Sequence, residues 1–147
     1  MFITKTARTA ATLILIASTA FAVPAFAGGN RVHIEQWGTD NMIGGGQRGH
    51  GQRLSVEQRG HSNVTINTQD GRRNRAVIGQ RGRFNAADTD QCGRGNTVGV
   101  AQMGRNHSAD VRQCGRRNVA AVIQSGRGGQ AEVRQRGSNN VVAIIQD

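Results

Sequence analysis

Gln80-Arg81-Gly82-Arg83-Phe84-Asn85-Ala86-Ala87-Asp88-Thr89-Asp90-Gln91 contains one complete unit of a pattern that governs most of the chain. Glycine follows the glutamine by two residues, asparagine by five, and the next glutamine by eleven. Working outward from this unit, glutamine returns without a slip at Gln36, Gln47, Gln58, Gln69, Gln80, Gln91, Gln102, Gln113, Gln124, Gln135 and Gln146. Glycine keeps its place at Gly38, Gly49, Gly60, Gly71, Gly82, Gly93, Gly104, Gly115, Gly126 and Gly137. Asparagine occupies its position at Asn41, Asn63, Asn74, Asn85, Asn96, Asn118 and Asn140, and Asn30 fits the frame one unit upstream. A fixed period of this kind is the mark of a repeat architecture in which each unit covers its neighbour.

Eleven residues is also the period of a right-handed helical coil, three turns of about 3.67 residues each. Residue content excludes that reading. One glycine per unit costs a helix about 1 kcal/mol each time, and the units are rich in asparagine and β-branched residues. Between the turns the pattern instead alternates: Val98 and Val100, Ala109 and Val111, Ala120 and Val122, Val142 and Ile144 are small or apolar, and the next glutamine points the same way. Period two means strand. Each unit therefore reads as a strand of about six residues ending in glutamine, then a glycine-containing turn closed by asparagine.

A coarser period of 22 lies over the first. Alternate strands carry bulkier inward pairs, among them Val32 and Ile34, Leu54 and Val56, Ala76 and Ile78. The strands between carry lighter or more polar ones, such as Ile43 and Gly45, Thr65 and Asn67, Ala87 and Thr89. One rung is then a heavy strand facing a light one. The fold expected is all-β, a β-solenoid of about five and a half stacked two-strand rungs at about 4.8 Å per rung.

Residues 1–27 stand outside the repeat. Lys5 and Arg8, an apolar run from Ala10 to Ala22 and Ala25-Phe26-Ala27 read as a secretory signal peptide cleaved after Ala27. Residues 28–147 then form the repeat domain, with no later apolar stretch long enough to span a bilayer. Without the signal, 17 arginines against 9 acidic residues leave a formal charge of +8, and Trp37 and Phe84 are the only aromatics. Such a composition suits a thin core rather than a globular one.

Stacked identical amides would donate to one neighbour and accept from the other, forming ladders along the axis. The repeat begins within about three residues of the expected cleavage site and stops one residue after Gln146, with no polar cap at either end. Uncapped strand edges template pairing with further chains, so Val32 and Ile34 at the start and Val142 and Ile144 at the end form the expected polymerisation edge.

The repeat Gln-x-Gly-x-x-Asn-x-Ala-x-x-x-Gln, clear from Gln80 to Gln91 and again in Gln113-Cys114-Gly115-Arg116-Arg117-Asn118 through Gln124, resembles the curlin repeat of curli amyloid subunits. The resemblance implies a secreted structural subunit that polymerises into extracellular fibres on a bacterium with an outer membrane, for surface adhesion and biofilm matrix. It implies as partners further copies of the chain, a homologous subunit, and outer-membrane secretion and assembly factors. His107 and Gly129 depart from the pattern, with Asn106 and Gln130 displaced by one position, and those turns should be the weakest.

Arginine fills the third position after glutamine in six consecutive units. Because turns alternate between edges, these divide into columns Arg72/Arg94/Arg116 and Arg83/Arg105/Arg127. Rows of like charge attract a polyanion through counterion release, with extracellular DNA or acidic polysaccharide as the expected partner, and they also act as gatekeepers against premature aggregation. Cys92 and Cys114 are 22 residues apart and stack on adjacent rungs; a rung-to-rung disulfide and two free thiols both fit. The dispersed histidines, and the absence of a nucleophile–base pair or phosphate loop, indicate no metal, no cofactor and no enzyme. A monomeric secreted solenoid that binds anionic polymers is the alternative, and a nucleating rather than bulk subunit is the second reading within the fibre class.

Overall fold

The computed structural model describes residues 29–147, so the expected signal peptide lies outside the described residues. Eleven strands follow one another: β1 (Arg31–Thr39), β2 (Met42–His50), β3 (Arg53–His61), β4 (Val64–Arg72), β5 (Arg75–Arg83), β6 (Ala86–Arg94), β7 (Thr97–Arg105), β8 (Ser108–Arg116), β9 (Val119–Arg127), β10 (Gln130–Ser138) and β11 (Val141–Gln146). Odd-numbered strands form one parallel sheet in the order β1-β3-β5-β7-β9-β11, and even-numbered strands a second in the order β10-β8-β6-β4-β2. These are the heavy and light sheets. Every pairing joins residues 22 apart, as in Gln58↔Gln80 and Gln91↔Gln113. The molecule is a β-solenoid with two strands per rung.

Its core is one residue layer from each sheet. Val56, Ala76, Ile78, Val98, Val100, Ala120 and Val122 from the heavy strands meet Ala87, Ala109, Val111, Ala131 and Val133 from the light ones, all buried. Thr65, Asn67 and Thr89 fill the remaining light positions and are equally buried. Small inward side chains on one sheet opposite larger ones on the other let two sheets close over so thin a core.

Strand length departs from expectation. Ten of the strands span nine residues, not six, and the glycine sits inside the ladder rather than in the turn. Gly82 explains why. Its φ is +125°, and a Cβ built on it would stand 1.9 Å from the carbonyl oxygen of Gly104 on the next rung. The same close approach repeats from Gly38 to Gly115. Glycine is thus required by stacking as well as by φ: the strand kinks there, and each kink nests against the one above. The reversal itself falls two residues later, where Asp40, Ser62, Arg73, Phe84, Asn106, Arg117 and Asn139 adopt a left-handed φ of 54–61°, and Gly51, Gly95 and Gly128 one of 69–73°.

Two kinds of amide ladder hold the rungs together. On the heavy sheet the Nε2 of each glutamine donates to the Oε1 of the next: Gln36 to Gln58, Gln58 to Gln80 and Gln80 to Gln102 at 2.8 Å, Gln102 to Gln124 at 2.9 Å, Gln124 to Gln146 at 2.8 Å. The light ladder runs from Gln47 through Gln69 and Gln91 to Gln113 and Gln135. The second Nε2 hydrogen crosses to the facing strand, as from Gln80 to the carbonyl of Val64 and from Gln102 to that of Ala86. Glutamine therefore satisfies stacking and sheet-to-sheet closure with one side chain. The repeat asparagines from Asn63 to Asn118 are buried, not solvated turn residues: Asn63 Oδ1 accepts from the backbone N–H of Asn85, while its Nδ2 donates to the carbonyl of Gly82.

Departures from the pattern test it. Gln52 stands where the others have asparagine; its Oε1 is buried without a partner, because the extra methylene carries it past the N–H of Asn74. His107 instead substitutes in place. Its Nε2–H donates to the carbonyl of Met103 and its Nδ1 accepts from the N–H of Gly129, copying both asparagine roles, while Asn106 takes the left-handed position.

Gly82→Ala is expected to lower stability by at least about 2 kcal/mol through backbone strain and the clash with Gly104. Gly79→Ala, whose Cβ meets nothing within 4 Å, should change stability by no more than about 1 kcal/mol in the favourable direction. Comparison of the two denaturation midpoints checks this; equal losses would refute the stacking argument. Gln52→Asn should stabilise by about 1 kcal/mol by restoring the missing acceptor, read as a rise in the same midpoint.

Candidate functional site

The features that carry function lie at the ends and along the edges of the stack. Among the described residues, β1 and β2 pair on one side only, as do β10 and β11. Val32 and Ile34 point inward like Val98 and Val100, yet they are 56% and 47% exposed because nothing stacks over them. Val142 and Ile144 at the other end remain partly buried against the core. The four residues expected to form a polymerisation edge are therefore core positions left open at two opposite ends.

Those ends differ chemically. Each ladder bond points from the earlier rung to the later one. Among the described residues, the Oε1 of Gln36 consequently has no ladder donor. Gln146 donates only to the carbonyl of Gln130, leaving an axial N–H free. An acceptor end and a donor end are complementary, and the apolar inward pairs beside them match in spacing.

The outer face of the heavy sheet changes along the stack. Near the start it bears ion-paired and aromatic side chains, with Arg59 bound to Glu57 at 2.8 Å and its guanidinium 4.5 Å from the Trp37 ring. At the other end Val119, Ala121 and Ile123 lie in register under Val141, Ala143 and Ile145. On the light sheet Arg112 pairs with Asp110 at 3.0 Å and Arg134 with Glu132 at 2.5 Å. Asp88 does not share that neutralisation. Burial pushes its carboxyl above the ordinary carboxylate range, and stacking on Asp110 adds to the shift, against a smaller opposing pull from Arg112.

Arginines lie in register as Arg72↔Arg94↔Arg116 at the end of the light strands and Arg83↔Arg105↔Arg127 at the end of the heavy ones. They are the last residues of their strands, not turn residues. Sequence reading missed a third column, Arg31↔Arg53↔Arg75, at the start of the heavy strands. Its signal was present, since arginine recurs at 22-residue spacing, but only the path of the chain around each rung puts it on the same edge as Arg72. Cys92 and Cys114 are joined in a disulfide across adjacent light strands, with Cα atoms 4.6 Å apart, which decides between the two states left open by spacing. Among the described residues no three of His, Cys, Asp and Glu are grouped as a metal site, and no helix is long and apolar enough to cross a membrane.

The curlin-associated repeat family matches residues 82–115 and again 104–135. No curated protein and no solved structure matches the chain. The matched residues span β6 to β9, the last two residues of β5 and most of β10, and the same 22-residue register continues on both sides of them from β1 to β11. Over residues 82–135 the chain carries curlin-associated repeats.

Proposed function

We propose that the chain is a secreted structural subunit that polymerises head to tail into extracellular, curli-like amyloid fibres serving surface adhesion and biofilm matrix. The observation that carries this reading is the polarity of the glutamine ladders, which leaves an acceptor at Gln36 and a donor at Gln146. Stacking Gln36 of a second copy on Gln146 would continue the heavy ladder and cover the open core positions Val32, Ile34, Val142 and Ile144. Each rung added also closes a row of unpaired backbone groups, the constraint that makes an open sheet edge a template.

Secretion rests on the sequence of residues 1–27, and the disulfide is compatible with an oxidising compartment. The family supplies the further expectation of a homologous subunit and outer-membrane assembly factors as partners. Bulk subunit is favoured over nucleator here because heavy and light ladders run without interruption through the described residues.

Purified protein is expected to bind amyloid dye and to give fibre reflections near 4.7–4.8 Å and about 10 Å; a sample that stays monomeric and dye-negative would overturn the proposal. The double variant Val142→Lys with Ile144→Lys places two charges at inward positions of the last strand. Seeded elongation should slow at least about tenfold, since unpaired charge at a closing interface is costly to desolvate. Unchanged elongation would exclude this end as a growth surface.

A further inference from the structure

The two edges of the solenoid are not equivalent. One edge is formed where each light strand hands over to the next heavy strand, the other where heavy hands over to light. On the light-to-heavy edge Arg72, Arg94 and Arg116 stack at the strand ends. Arg73 and Arg117 occupy the left-handed reversal beside them. Arg31, Arg53 and Arg75 stack just beyond it. All eight are exposed, and none enters an ion pair among the described residues. Asp70, two residues before Arg72, faces outward on the light sheet and joins no ion pair either.

The heavy-to-light edge has Arg83, Arg105 and Arg127, but its reversal positions hold Asp40, Ser62, Phe84, Asn106 and Gly128. The strands that follow begin with Met42, Val64, Ala86, Ser108 and Gln130. Asp40 is itself in contact with His61 at 3.4 Å. Equal columns at the third position thus conceal a surplus of five arginines on one side.

These arginines line concavities, not a flat strip. A groove of about 800 Å³ lies between the Arg72 column and the reversal pair Arg73 and Arg117. A second, of about 400 Å³, lies against the Arg31 column and Arg73. Both follow the stacking axis, along which in-register Cα atoms at Cys92 and Cys114 are 4.6 Å apart. Guanidinium groups at that spacing repel one another in water, and a continuous counterion relieves the repulsion.

We propose that the light-to-heavy edge binds a linear polycarboxylate, an acidic polysaccharide laid lengthwise along the stack. Arginine presents a planar fork that bonds a carboxylate through two parallel N–H donors, and several forks in file suit a polymer with regularly spaced carboxylates. Single-stranded nucleic acid is disfavoured because it needs aromatic stacking platforms; Phe84 is on the opposite edge and Trp37 on the heavy face, under Arg59. A DNA duplex is too wide to enter grooves bounded by single arginine columns and would touch only their rims. The surface exists on a single copy, so it does not depend on polymerisation; a fibre would lengthen it.

Two triple variants remove the same charge at the same strand position on opposite edges: Arg72→Gln/Arg94→Gln/Arg116→Gln and Arg83→Gln/Arg105→Gln/Arg127→Gln. Binding of immobilised protein to polygalacturonate, to its methyl ester and to duplex DNA is measured from 50 to 300 mM salt, with circular dichroism confirming that each variant keeps its β-structure. The first triple is expected to weaken polygalacturonate binding at least about tenfold and to reduce the slope of log K against log salt by about 2. The second should weaken it less than about threefold, and the methyl ester should not bind. Equal losses in the two triples would mean that net charge alone acts and would overturn the edge assignment. Tighter binding of duplex DNA than of polygalacturonate at equal salt would overturn the choice of polymer. Failure of the protein to form fibres would leave this result untouched, so the two proposals stand or fall separately.

Discussion

A side-chain amide that bonds forward along the stack and sideways to the facing sheet is the interaction on which this solenoid depends. Hydrophobic burial alone would not set its register. The core is one layer thick, and several of its positions hold only alanine, threonine or asparagine. A slip of one residue would turn every inward side chain outward, while a slip of eleven would set heavy strands on light ones. Glutamine resists the first, because its Oε1 and both Nε2 hydrogens have partners 22 and 16 residues away; a slip of eleven keeps glutamine on glutamine and is opposed by the mismatch of heavy and light inward pairs. Leaving one such buried group unpaired costs about 1–3 kcal/mol, and the penalty recurs at every rung.

The glycine column sets the spacing that the amides require. Where Gly60 meets Gly82 and Gly82 meets Gly104, backbone approaches backbone too closely for any Cβ. Rungs can therefore nest without the strands bowing apart, and the asparagine beside each glycine reaches the next rung's carbonyl. Amide ladder, glycine kink and asparagine stitch form one mechanism, so a defect in one loads the others. His107 is tolerated because an imidazole supplies a donor and an acceptor at nearly the right places. Gln52 is a poorer fit because it supplies the right group on too long a stem.

The periodicity that stabilises the stack also multiplies whatever lies on its surface. A single exposed arginine contributes little, but a column repeats it along the axis on one side. Opposite charges on the outer faces are largely paired within a strand, at Glu57 with Arg59, Asp110 with Arg112 and Glu132 with Arg134. Residues two apart on a strand share a face, so this pairing is local and needs no partner. At the edges the chain reverses, alternation breaks down, and arginines are left without acidic neighbours.

The amino-acid sequence alone determined the repeat length, the strand character of each unit, the division into heavy and light strands and the inward-facing residues. Each of these follows from alternation and period, which are one-dimensional properties. The turn did not follow from them. Glycine and asparagine were read as turn formers because they usually are, whereas here Gly82 kinks inside a nine-residue strand and Asn85 is buried. Tertiary structure decided this, since only the contact with the next rung makes a Cβ intolerable at one position and an amide necessary at the other. It also decided that Cys92 and Cys114 are bonded, and that Arg31, Arg53 and Arg75 join Arg72 on one edge. Residues three apart in sequence become neighbours across an edge only when the chain closes around a rung, and no periodicity in the sequence states on which side it turns.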